Sequence, residues 1–134
     1  MIYKFKREAE SGLILVNIEV DKKYELKMIL DTGATNTTID SNALYLLGHD
    51  LKDSVGTVEI ETANGIIETE VFELNSFSSL GIFKENFQIQ VYDFIAHGIF
   101  SDYNGLLGLD FLEGTKFCID TLENTISITS KESY

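Results

Sequence analysis

The sequence predicts an all-β fold with one or two short helices. Two early segments alternate apolar and polar side chains with a period of two, which is typical of strands that bury one face. Farther along, Asn64 and Gly65 separate two more alternating segments, and an Asn-Gly pair in that position is a strong signal for a β-hairpin. Helical signals are confined to two short segments, so we expect strands to make up most of the chain.

The first predicted hairpin consists of Leu13–Val20 and Tyr24–Leu30. In the first strand, isoleucine and valine occupy one face while Asn17 and Glu19 occupy the other. Residues 21–23 form the turn. The second strand ends immediately before Asp31, so the hairpin places that carboxylate at a strand end.

The remaining elements depend on turns formed by Gly, Asn, Asp and Ser, because the chain contains no proline. In order, we predict a strand over Thr37–Asp40 and a helix over Asn42–Leu47, which is capped by Ser41 and ends at Gly48. Strands then follow over Thr57–Thr62 and Ile66–Leu74, on either side of the hairpin tip, and over Asn86–Phe94. The chain ends with a helical turn over Leu109–Glu113, a closing hairpin of Lys116–Asp120 and Thr125–Thr129, and a loose tail over Ser130–Tyr134.

Composition indicates one globular domain that spans residues 1–134. Hydrophobic residues make up 44% of the chain and charged residues 24%, which is ordinary for a protein that buries its own core. The formal net charge of −12 argues against nucleic acid and anionic membrane surfaces as partners, because binding phosphate requires a basic patch.

Cysteine content and the lack of membrane signals favour a cytoplasmic location. Cys118 is the single cysteine, which excludes an internal disulfide, and its apolar strand predicts a buried, inert thiol. No apolar run reaches the length of a membrane span, and Met1–Glu10 lacks the apolar core of an export signal. His49 and His97 lack the spacing of metal ligands, so we expect surface positions for both and no bound metal.

The segment Met28–Thr35 carries the candidate chemistry. A buried strand leads into Asp31, and the following Thr and Gly allow backbone amides to crowd around its carboxylate. A later segment, Gly105–Leu112, contains two large apolar residues, a glycine and the start of a short helix. Together these segments resemble the retropepsin-like aspartic proteases, and residues 107–112 look most like the bacterial members and the protease domain of the DNA-damage-inducible shuttling proteins.

The resemblance implies that each chain is a closed, barrel-like retropepsin lobe and gives the matching residues specific roles. Asp31 would be catalytic. Its loop would be supported by Thr32, which bonds across a two-fold axis, by Gly33, which presents an amide, by the small Ala34 and by the anchoring Thr35. A mobile flap over the substrate would comprise Ala63, Asn64, Gly65, Ile66 and Ile67, and Leu106, Leu107 and Gly108 would pack beneath the catalytic loop.

The same resemblance implies a homodimeric aspartic endopeptidase. A chain with a single Asp-Thr-Gly must obtain its second carboxylate from another copy, and a two-fold axis allows Asp31 to meet itself. Two adjacent carboxyl groups share a proton, so one can activate water while the other protonates the scissile carbonyl. The substrate would be an extended peptide or protein, and no metal or organic cofactor is implied. Viral members usually carry Arg at the position of Leu109, so no role of that Arg applies here.

The residues of the Asp31 segment also fit other interpretations. Asp, Thr and Gly form ordinary turns. The segment partly matches the phosphate loop of the actin and sugar-kinase superfamily, but that fold requires two large domains. The alternative that stays open is a retropepsin-fold module, or a monomer, that holds an extended peptide without cutting it. Asp110 is expected to cap or brace the final helix rather than to act in catalysis.

Overall fold

Strands dominate the structure, as the alternating segments predict. The computed structural model describes residues 1–63, 65–99 and 102–130. Within these ranges the strands are β1 (Ile2–Lys4), β2 (Lys6–Arg7), β3 (Ile14–Val20), β4 (Tyr24–Leu30), β5 (Thr38–Asp40), β6 (Gly56–Thr62), β7 (Gly65–Ser79), β8 (Ile82–Tyr92), β9 (Gly105–Leu107), β10 (Thr115–Asp120) and β11 (Thr125–Ser130). The α-helices are α1 (Ser41–Leu46) and α2 (Leu109–Leu112), and short 3-10 helices span Leu51–Asp53 and Ile95–His97.

A closed six-stranded barrel forms the body of the described fold. Around the barrel the strands follow the order β3, β4, β9, β5, β8 and β7, and β7 then pairs back with β3. This closing contact is short, with Glu19 opposite Ser78 and Val20 opposite Phe77. The predicted all-β, closed, barrel-like fold with two short helices is therefore confirmed.

Aromatic and branched aliphatic side chains fill the barrel. Phe77 and Phe111 are fully buried and contact Phe87, with ring centroids 4.9 to 5.9 Å apart. Met28 and Leu107 are also completely inaccessible to solvent. Their burial fixes the ends of β4 and β9, which lead directly into residues 31 and 108.

A second sheet, in the order β1, β11 and β10, packs one face against the barrel. Ile126 and Ile128 of β11 belong to the core, and Phe117 and Ile119 of β10 pack against it. Cys118 lies between the latter two and is exposed. The prediction of a buried thiol is therefore wrong, because the period of two along β10 turns Cys118 to the opposite face.

The largest difference from the predicted elements lies between Leu74 and Asn86. No predicted strand or helix covers residues 75–85, whereas β7 and β8 continue through this region and meet at a tight turn. Leu80 and Gly81 form that turn, and both have positive φ. Consequently, β7 and β8 are longer than the strands predicted over Ile66–Leu74 and Asn86–Phe94.

Smaller differences concern helix α1 and the chain ends. The side chain of Asp40, rather than that of Ser41, caps α1 by accepting a hydrogen bond from the backbone N–H of Asn42. Strands β1, β2 and β9 are not among the predicted strands. Strand β11 extends through Ser130, and the rest of the predicted tail, residues 131–134, lies outside the described residues.

None of the helices in the described ranges is both long and apolar enough to cross a membrane.

Candidate active site

Asp31 lies at the end of β4, where the strand leaves the barrel. Strand β4 runs parallel to β9, with Ile29 opposite Leu106 and Leu30 opposite Leu107. One residue beyond this pairing, the backbone N–H of Asp31 donates to the carbonyl of Leu107 at 3.0 Å. The ladder between β4 and β9 thus continues into the loop and fixes the starting point of the candidate catalytic turn.

The turn after Asp31 surrounds its carboxylate with backbone. The N–H of Ala34 donates to the carbonyl of Asp31 at 3.0 Å, and the N–H of Gly33 donates to Asp31 Oδ1 at 2.9 Å. Among the described residues, no donor hydrogen bonds to Asp31 Oδ2. Asp31 is half-buried while Thr32 and Gly33 are exposed. One carboxylate oxygen is therefore held by the protein and the other is available to solvent or to a partner.

Gly108 allows the start of α2 to press against this turn. A Cβ added at Gly108 would lie 2.7 Å from the carbonyl carbon of Asn36 and 2.8 Å from the carbonyl oxygen of Ala34, so no larger residue fits. The close approach lets the N–H of Leu109 donate to the carbonyl of Ala34 at 2.8 Å. The N–H of Asp110 likewise donates to the carbonyl of Thr35, at 3.1 Å.

Asp110 and Thr37 join the two segments through side chains. Thr37 is completely buried, and both its N–H and its hydroxyl donate to the Asp110 carboxylate, at 3.0 Å and 2.7 Å. The Thr37 hydroxyl oxygen in turn accepts a hydrogen bond from the N–H of Gly108 at 3.1 Å. Asp110 also accepts from the N–H of Phe111 at 2.8 Å. It thus braces α2 as expected, and it additionally holds the far end of the Asp31 loop.

The sequence does not indicate the role of Thr37. Its predicted position is only the first residue of a short strand, and 73 positions separate it from Asp110. A single sequence contains no local signal for a pairing over that distance. By contrast, Leu106 and Leu107 are recognisable in advance from their motif, and the structure places both beneath the loop, Leu107 fully buried and Leu106 half-buried.

The hairpin of β6 and β7 occupies the position predicted for the flap. Thr62 pairs with Gly65 at the tip of this hairpin. Asn64 lies outside the described residues, and Ala63 and Gly65 are exposed, Gly65 with a φ of 118°.

The two isoleucines predicted to line the cleft are placed differently from each other. Ile66 is 68% exposed, while Ile67 is half-buried and lines a cavity between the hairpin and α1. That cavity does not include residues 31–35 among its lining residues. This cavity therefore includes Ile67 but not the Asp31 turn.

The two histidines lie in polar surroundings near that cavity. Nε2 of His49 is 3.3 Å from Oδ2 of Asp21, and Nδ1 of His97 is 2.7 Å from the carbonyl of Asp93. In the described part of the chain, no group of three or more His, Cys, Asp or Glu side chains is placed to hold a metal ion.

The fold and the site together define a class of protein, the aspartic proteases of the retropepsin type. A family model described as aspartyl protease matches residues 16–111, a span that contains the Asp31 turn, the β6–β7 hairpin and Gly108. The chain belongs to this aspartyl protease family.

Comparison with solved structures gives the same result. The chain is similar to a retropepsin-like aspartic protease from Rickettsia conorii, with a TM-score of 0.71 and 26% sequence identity over 97% of this chain and 91% of that chain. A search of curated protein sequences gave no significant match.

Proposed function

We propose that this protein is a homodimeric aspartic endopeptidase in which Asp31 residues from two copies form the catalytic pair. The observation that carries the proposal is the single Asp31 turn, which has one carboxylate oxygen fixed by Gly33 and the other unoccupied by any described donor. Such a half-site becomes complete when a two-fold axis brings two copies together. Membership of the aspartyl protease family supports the same assignment.

In the proposed reaction, the two carboxyl groups share one proton. The ionised Asp31 accepts a proton from a water molecule, whose oxygen attacks the carbonyl carbon of the peptide bond. The protonated Asp31 of the other copy donates its proton to the carbonyl oxygen. The tetrahedral intermediate then collapses: one hydroxyl gives its proton to the carboxylate that is now ionised as the C=O bond re-forms, the C–N bond breaks, and the other carboxyl group gives its proton to the leaving amine. The Gly33 amide stabilises the ionised carboxylate throughout.

The β6–β7 hairpin is proposed to cover the bound substrate. An extended peptide can pair with the exposed backbone of such a hairpin as an added strand, which orients the scissile bond and excludes water. Ala63, Asn64 and Gly65 at its tip, with Ile66 next to them, are the residues we assign to this role. The proposed substrate is accordingly a peptide or protein segment in extended conformation.

Replacement of Asp31 tests the proposal directly. Asp31→Asn should lower peptidase activity by at least about 10²-fold, because general acid-base catalysis contributes that much or more. The measurement is digestion of a diverse peptide pool, with cut sites identified by mass spectrometry. Glu85→Gln is the matched control: it makes the same carboxylate-to-amide change on an exposed position of β8 and should retain full activity.

Full activity in purified, folded Asp31→Asn protein would overturn the assignment. Absence of cleavage by the wild type, combined with a strictly monomeric state in sedimentation experiments at micromolar concentration, would instead favour the peptide-binding module. A monomer cannot assemble the carboxyl pair, so the two measurements together distinguish the enzyme from that alternative.

A further inference from the structure

A cavity of about 660 Å³ lies on the flank of the flap hairpin, away from Asp31. Its walls come from α1 and the residues that follow it, from residues 67–72 of β7, and from the end of β8 with the adjoining 3-10 helix. This volume falls within the range of about 300 to 1,000 Å³ that is typical of ligand sites. Residues 31–35 contribute nothing to the lining, so the cavity does not include the Asp31 turn, although it shares Ile67 with the flap hairpin.

The lining of the cavity is strongly acidic. It contains Asp50, Glu68, Glu70 and Asp93, and no lysine or arginine is among its described lining residues. His49 and His97 also line the cavity, while Lys52 lines a smaller neighbouring cavity. A cavity with this charge favours a cationic ligand and disfavours an anionic one.

Two of these carboxylates already have protein partners. Asp93 accepts hydrogen bonds from the N–H of Ala96 at 3.0 Å and from the side-chain amide of Asn42 at 3.2 Å. The backbone hydrogen bond from Ala96 is the main cause that lowers the pKa of Asp93, so it is ionised at neutral pH. Glu70 accepts from the hydroxyl of Ser54. These two groups are fixed in position.

Glu68 provides an acceptor that is still available. It is exposed on β7, and no described residue donates a hydrogen bond to its carboxylate. Asp50 also lines the cavity and is exposed, and its carboxylate accepts a long hydrogen bond from the N–H of Lys52 at 3.5 Å. Glu68 on β7 and Asp50 after α1 therefore line the cavity from different elements, and both carboxylates can accept further hydrogen bonds from a cation.

Aromatic rings complete the cavity. Tyr45 projects from α1 with 72% of its surface exposed, and Phe72 is buried. Tyr92 stacks on His97 with ring centroids 4.1 Å apart and planes inclined by 22°. The exposed ring of Tyr45 is suited to a flat, delocalised cation, which binds aromatic faces by stacking and by cation–π attraction, whereas one face of Tyr92 is covered by His97.

We propose that this cavity binds the guanidinium group of an arginine side chain presented by a peptide. Guanidinium is planar, permanently charged and able to donate to two carboxylates at once while one face lies on an aromatic ring. A lysine ammonium carries the same charge, but it lacks the flat surface that lies on an aromatic ring and the forked set of N–H donors that reaches two carboxylates. The bound arginine connects β7 of the flap hairpin with α1, so its occupancy restrains the base of the flap.

Direct binding to a catalytically disabled protein tests this proposal independently of the peptidase assignment. Full-length Asp31→Asn protein is titrated with acetyl-Gly-Arg-Gly-amide and followed by ¹H–¹⁵N NMR. We expect saturable shifts at residues 45, 68 and 92. The citrulline peptide, which is nearly isosteric and neutral, should bind at least about tenfold more weakly because it cannot form charge-assisted hydrogen bonds. The lysine peptide should also bind more weakly.

Matched variants assign the binding to the cavity. Glu68→Gln and Tyr45→Ala each change an exposed side chain and should weaken the arginine peptide about five- to tenfold. Glu85→Gln removes the same charge from β8 outside the cavity and should leave binding unchanged. The proposal is overturned if binding does not saturate, if the citrulline peptide binds equally well, or if Glu68→Gln and Glu85→Gln weaken binding equally.

A kinetic experiment with the wild type identifies the source of the arginine. If the arginine belongs to the cleaved peptide, Glu68→Gln should raise KM only for substrates that contain arginine outside the cut site. If it belongs to a separate peptide, free acetyl-Gly-Arg-Gly-amide should change the cleavage rate of an arginine-free substrate. Either result supports the site, and a failure of peptidase activity leaves the binding measurement valid.

Discussion

Asp110 is the side chain that connects the candidate catalytic loop to α2. Its carboxylate accepts three kinds of donor: the Thr37 N–H, the Thr37 hydroxyl and the Phe111 N–H. Since Thr37 is completely buried, its two donors have no access to water when the carboxylate is removed. The position of Asp31 therefore depends on a residue that carries out no chemistry itself.

Asp110→Ala should lower the free energy of unfolding by about 1–3 kcal/mol, because it leaves a buried donor without an acceptor. Asp110→Asn keeps one carbonyl oxygen and should cost less. Urea denaturation measures both changes, with Glu113→Gln on the adjacent exposed position as the control. A loss of stability in Asp110→Ala no larger than that of the control would show that the Thr37 contact contributes nothing.

At the residue scale, local motifs are predictable and distant partners are not. The turn around Asp31 follows from Asp-Thr-Gly after an apolar strand, because its hydrogen bonds connect residues within three positions. The pairing of Thr37 with Asp110 depends on how the barrel closes. Cys118 shows a second reason why prediction fails. Its apolar neighbours suggest burial, but alternate residues of a strand face opposite sides, and Cys118 lies on the side that faces away from the core.

At the scale of single elements, β9 is a strand of only three residues that lies inside the barrel sheet. It lies between β4, to which it is parallel, and β5, to which it is antiparallel. A Cβ at Gly105 would overlap the carbonyl oxygen of Thr38 and lie 3.0 Å from the Cα of Ile39. The separation of β9 from β5 therefore requires glycine at this position.

Gly105→Ala should destabilise the protein by about 1–3 kcal/mol, the usual cost of forcing an extra methyl group against backbone that cannot move away. Gly56→Ala is the matched control, since a Cβ there meets nothing within 4 Å, and its effect should be about 0.5 kcal/mol or less. Thermal unfolding of both variants provides the comparison. Equal melting temperatures would contradict the tight packing of β9 against β5.

Element prediction succeeds where alternation is clean and fails where polar residues are buried. The β3–β4 hairpin is confirmed almost to the residue. The segment after Leu74 contains Asn75, Ser76, Ser78 and Ser79 and suggests a loop, yet Ser76 and Ser79 are buried. The Ser79 hydroxyl donates to the carbonyl of Asn17 at 2.7 Å, which satisfies a polar group inside the barrel. This hydrogen bond joins residues that are far apart in the chain, so the sequence alone does not reveal that a serine can be buried there.

At the scale of the whole molecule, the six-stranded barrel provides one Asp31 turn per chain, so the proposed activity belongs to a pair of chains. This arrangement makes a distinctive prediction for mixtures. When wild type and Asp31→Asn are mixed in equal amounts and exchange subunits freely, about a quarter of the dimers contain two wild-type chains. Heterodimers carry one carboxylate and should be nearly inactive.

Activity per wild-type chain should therefore fall to about half in the equal mixture and further with excess variant. Fluorescence energy transfer between labelled chains verifies that subunits exchange, and Glu85→Gln in place of Asp31→Asn is the control that should leave activity per chain constant. If exchange occurs and the Asp31→Asn mixture also keeps constant activity per wild-type chain, each chain carries a complete site and the two-copy mechanism is wrong.

The supports of the Asp31 turn also determine when the proposed activity can arise during synthesis. The turn is held by Leu107, Gly108 and Asp110, and Asp110 lies 73 positions after its partner Thr37. A ribosome releases the chain from its N-terminus, so Asp31 emerges long before the residues that shape its loop. A nascent or truncated chain that ends before residue 105 has the catalytic sequence but not the catalytic geometry. Under the proposed function, the order of elements therefore delays proteolytic competence until residues 105–110 have been translated.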